Sequence, residues 1–134
     1  MVDESLLFKR IAVGKTLGGL VGIFGFGLLS AFESPVSFSF KLGIVFWYVL
    51  LGALVSLQAS VDFGRVIRFS IPWWLGAVWV GAGLNFILLL FVATQIEQIT
   101  VHLIPTGAWL HHPLWFVLEG SLIGFGIAGI TRRL

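Results

Sequence analysis

Residues 73–96 read WWLGAVWVGAGLNFILLLFVATQI, a run of 24 residues without one Asp, Glu, Lys or Arg. A helix rises 1.5 Å per residue, so about 20 such residues cross the ~30 Å hydrocarbon core of a bilayer. Three further apolar stretches, at 11–32, 42–61 and 113–130, have the same length class and almost no charge. The pattern predicts an all-α polytopic membrane protein. It is expected to be a single domain over 1–134, with four transmembrane helices in an up-down bundle.

The whole composition agrees. Hydrophobic residues make up 58% of the 134 residues and charged residues 10%, whereas a soluble domain carries about 25% charged residues. Mean hydropathy is +1.06. The net charge of +2 does not point to nucleic acid, because the basic residues flank apolar spans and form no patch. Absence of cysteine excludes disulfides, thiolate catalysis and cysteine–zinc sites. The apolar core of the first stretch exceeds the ~7–15 residues of a signal peptide, and Leu29 suits cleavage after Ala31 poorly. That stretch is therefore expected to be a retained helix.

Glu33-Ser34-Pro35 ends the first span, Asp62-Phe63-Gly64-Arg65 the second, and Pro72 suits the first turn of the third. Pro105, Gly107 and Pro113 punctuate the last connection. Ile96, Ile99, Leu103 and Ile104 keep helical spacing beyond the third span, either as its extension or as a short helix on the membrane surface. Lys9, Arg10, Lys15, Arg65, Arg68, Arg132 and Arg133 fall on one side of the spans and Lys41 alone on the other. This asymmetry predicts cytoplasmic N and C termini. Tryptophans 73, 74, 109 and 115 fit aromatic belts at the two faces.

Gly14, Gly18, Gly22 and Gly25 share a face of the first span, and Gly120 and Gly124 one of the fourth. Small residues at this spacing let helix backbones approach closely, within one bundle or between copies.

Three spans carry a polar residue at one depth. Glu119 precedes Arg132 by thirteen positions, Asn85 follows Pro72 by thirteen, and Tyr48 precedes Asp62 by fourteen. Each lies roughly 20 Å from the cytoplasmic end of its helix. An ionised carboxylate at that depth costs several kcal/mol, so Glu119 needs a proton or hydrogen-bond donors. Asn85 and Tyr48 can donate. The expectation is a Tyr48–Asn85–Glu119 cluster inside the bundle, serving as a proton or substrate site or as a structural bond that fixes register.

Other polar residues carry less. Gln58 lies near the cytoplasmic end of the second span, within reach of water. Glu97, His102, His111 and His112 gather on the outer side; adjacent histidines do not converge on one metal, so no metal site is expected. Arg65 and Arg68 are placed to hold anionic lipid headgroups. No phosphate-binding glycine loop, no H-E-x-x-H and no serine with a nearby histidine base occurs. No catalytic residue and no cofactor is expected.

In size and four-span layout the chain is similar to small multidrug exporters and small ion channels. The exporters carry a glutamate in their first span, and this first span holds no acid. The expected function is non-enzymatic: a small component of a prokaryotic inner (plasma) membrane. It packs in the lipid bilayer as a homo-oligomer or as an accessory subunit of a larger membrane complex. The alternative is a small oligomeric proton-coupled transporter or channel using Glu119.

Overall fold

A computed structural model describes residues 3–61, 71–104 and 112–134. Among them are four helices, α1 (Glu4–Ala31), α2 (Phe38–Ser60), α3 (Trp73–Leu103) and α4 (Leu114–Thr131). Each is long and apolar enough to cross a membrane, the make-up of a multi-pass membrane protein.

Helix ends follow capping chemistry rather than hydropathy. α1 begins seven residues before the apolar stretch, where the Asp3 carboxylate accepts from Ser5 N at 3.1 Å and Glu4 sits in the first turn. Both acids suit the partial positive charge of a helix N-terminus. α2 begins at Phe38, where Ser37 Oγ accepts from Phe40 N at 3.2 Å. Lys41 thus lies in the first turn of α2 rather than in a connection. α1 closes with Ser34 N bonded to Leu29 O (2.9 Å) and Glu33 N to Ser30 O (3.2 Å). This pair of bonds is the Schellman arrangement, and it forces Glu33 to φ +50°, a left-handed conformation that glycine usually fills. Pro72 stands just before α3 as its cap rather than in its first turn.

α3 continues past Ile96 to Leu103, so the spaced residues there belong to a helical extension. The extension does not prolong one regular helix: Val92 departs from helical geometry (φ −126°, ψ 24°).

Close approaches between helices fall at small residues. A Cβ added to Gly14 would collide with Ser56 Oγ and Gly52 O, and one on Gly18 with Tyr48 O. On Gly22 it would lie 2.7 Å from Val45 Cα. Numbers rise along α1 as they fall along α2. The same holds for α3 and α4: an added Cβ on Gly81 would meet Gly120 O, and one on Gly124 would lie 2.6 Å from Ala77 O. Gly25 differs, since its added Cβ would meet only Ile44 Cγ2 at an ordinary 3.8 Å. α2 touches both α3 and α4, and its Leu51 and Val55 are wholly buried, as is Ala128 of α4.

Candidate functional site

Tyr48, Asn85 and Glu119 come together, but with unequal burial. On α3 the buried face runs through Ala77, Gly81, Asn85 and Leu89 at helical spacing, which carries Asn85 fully inside. On α2 it runs through Ile44, Tyr48, Leu51 and Val55, leaving Tyr48 only 3% exposed. On α4 it runs through Phe116, Gly120, Gly124 and Ile127. Glu119 stands one residue off that row, about 100° around the helix, and is exposed. The expectation of a wholly interior cluster is corrected at this residue. Depth along the membrane was readable, whereas rotation about α4 decided the outcome.

The bonds fall in two neighbouring sets, joined through the adjacent residues Trp47 and Tyr48 of α2. Tyr48 Oη donates to Glu119 Oε1 at 2.8 Å. Asn85 Nδ2 donates to Phe116 O at 2.9 Å. Asn85 Oδ1 accepts from Trp47 Nε1 at 3.1 Å. Trp47 was not foreseen. Its signal was a tryptophan at mid-span, away from the aromatic belts, whose N–H needs a partner when buried.

Glu119 and Tyr48 face a groove of about 400 Å³ among all four helices. Gly25, Leu29, Ile44, Ile96 and Leu103 give it apolar walls, and Thr100 also lines it. The Thr100 hydroxyl is turned to its own helix, donating to Ile96 O at 2.8 Å. The groove therefore offers one carboxyl and one phenol among apolar and aromatic walls that include Trp115. Such a site can take a cation or a hydrogen-bond donor, or exchange a proton.

No protein-family model, curated protein or solved structure matches this chain.

The remaining expected sites fall elsewhere. Arg65 and Arg68 lie outside the described residues, as do Trp109 and His111. His112 Nδ1 accepts from Leu114 N at 3.2 Å and caps the start of α4. His102 Nε2 contacts the Phe32 carbonyl, linking the ends of α3 and α1. Among the described residues no three His, Asp or Glu side chains converge as metal ligands would. Ser121 Oγ donates to Val117 O at 3.2 Å within its own helix.

Proposed function

We propose that this chain is a small non-enzymatic component of a prokaryotic inner (plasma) membrane, its four helices in an up-down bundle with both termini cytoplasmic. It works by packing with copies of itself or as an accessory subunit of a larger membrane complex. The carrying observation is the Glu119 carboxyl, open to an apolar side groove with Tyr48 on one of its oxygens. A carboxyl facing hydrocarbon is expensive, and a helix laid along the groove would cover it and supply a second donor. Seven basic residues on one side of the spans against one on the other support the orientation. The small faces of α1 and α4 are used against α2 and α3, while Gly27, Gly43, Gly83 and Gly126 have nothing within 4 Å of an added Cβ. These outward glycines leave room for a neighbouring helix.

The test uses the cysteine-free background. Leu118 is exposed beside Glu119, so Leu118→Cys should form a disulfide-linked pair, or a cross-link to a co-purifying protein, in native membranes. A monomer without cross-links in native membranes and in mild detergent would defeat the proposal.

A second reading has its own support: the groove has room for a small lipophilic cation opposite a single carboxyl. On this reading the protein is a small oligomeric proton-coupled transporter or channel. Liposome flux abolished by Glu119→Gln would establish it and displace the purely structural role.

A further inference from the structure

A second cavity, of about 640 Å³, lies at the other end of the molecule. Its polar wall is assembled from three helices and the residue after a fourth: Arg10 from α1, Gln58 from α2, Trp73 and Gly76 from α3, and Arg132 just past α4. None of these residues lines the Glu119 groove.

The two arginines are brought together rather than kept apart. Arg10 Nη2 donates to the Arg132 carbonyl at 3.4 Å. The Arg132 guanidinium lies 5.0 Å from the centre of the Trp73 ring, a cation–π contact. Trp73 is itself stacked on Phe125, with ring centres 5.7 Å apart. The Arg132 guanidinium is thus seated against an aromatic face, and Arg10 reaches the Arg132 backbone beside it. Neither arginine forms an ion pair among the described residues.

The cavity also contains unmet hydrogen-bonding capacity. Arg10 Nε and Gln58 Oε1 are buried without a partner, a loss of hydration that native proteins rarely leave uncompensated. An arginine serving only as an orientation charge would extend its head into water, and a buried Nε departs from that. Gln58 is directed inward by the absence of a side chain at position 76. A Cβ on Gly76 would occupy the space taken by Gln58 Nε2.

Two guanidinium groups with a free buried N–H call for an anion, and their forked donors match the oxygens of phosphate. The free acceptor on Gln58 calls for a donor beside that anion. We propose that this cavity binds a phosphate group carrying a neighbouring hydroxyl, as in a glycerol phosphate. Arg10 and Arg132 hold the phosphate oxygens, and Gln58 Oε1 accepts from the hydroxyl. The group can arrive as the headgroup of phosphatidylglycerol, its tails against Ile71, Trp79 and Val80 of the same cavity, or as a soluble glycerol phosphate.

The test is thermal unfolding and equilibrium binding of the full chain in neutral detergent, with phosphatidylglycerol, glycerol 1-phosphate or phosphatidylcholine added. Saturable stabilisation by phosphatidylglycerol alone identifies a lipid site. Stabilisation by glycerol 1-phosphate as well identifies a site for the soluble group. Arg10→Gln and Arg132→Gln should each weaken binding about tenfold, the loss of one charge-assisted hydrogen bond. Lys9→Gln and Arg133→Gln remove the same charge one position outside the cavity and should leave binding unchanged. If Arg10→Gln does not fold, Arg132→Gln at its exposed position decides the same question. No saturable effect from either phosphate ligand, or equal losses in all four variants, would overturn the site.

Discussion

The Tyr48 hydroxyl reaches from α2 to donate to Glu119 Oε1 on α4 across 2.8 Å. The donor is buried and the acceptor opens to the groove, so one end of the bond is fixed by packing and the other is available to a ligand or a neighbouring helix.

Removing the donor alone tests whether the bond stabilises the fold. Tyr48→Phe keeps the ring and Glu119→Ala removes the acceptor. A double-mutant cycle should show coupling of about 0.5–2 kcal/mol. Additive unfolding free energies would mean that the bond contributes nothing.

Asn85 is more deeply committed. Its amide accepts from Trp47 and donates to the Phe116 carbonyl with no exposure to solvent. Asn85→Ala leaves a void and an unpaired indole N–H, with an expected loss of about 2–4 kcal/mol. Trp47→Phe should cost less, about 1–2 kcal/mol. Chemical denaturation in mixed micelles ranks the two, and the reverse order would contradict the bonding described.

Glycines divide into two classes. Gly18→Ala and Gly81→Ala drive a methyl into the backbone of the facing helix, and each should lose about 1–3 kcal/mol. Gly27→Ala and Gly126→Ala meet open space and should gain up to about 1 kcal/mol from helix propensity. Melting temperatures of the four variants in one detergent give the comparison. Equal effects across the classes would remove the distinction.

Glu33 occupies left-handed backbone at the end of α1. Glu33→Gly should therefore raise stability by about 1 kcal/mol, whereas Glu33→Ala, which keeps the Cβ, should not. A lower melting temperature for the glycine variant would show that the turn is held by something other than its dihedral angles.

Much of this was legible in the chain. The four helices and the shared depth of Tyr48, Asn85 and Glu119 follow from apolar length and spacing. Helix ends were less legible, because hydropathy reports what lipid accepts whereas Asp3 and Ser37 decide where backbone N–H groups are capped. The exposure of Glu119 was hidden for a different reason. Depth fixes height along α4 but not angle about it. The row of Gly120 and Gly124 already marked the inward face, one residue away from Glu119. Gln58 was read as a rim residue near water. Its turn into the second cavity depends on Gly76, from another helix, and pattern along a single helix does not contain that relation.

The interruption at Val92 has a mechanical consequence. It leaves 19 residues of α3 before it, about 28 Å of helix, beside the 18 residues of α4, about 27 Å. The regular part of α3 and the whole of α4 thus have matched reach, while α1 and α2, at 28 and 23 residues, are longer. A change in lipid tail length would therefore be met unequally by the two helix pairs.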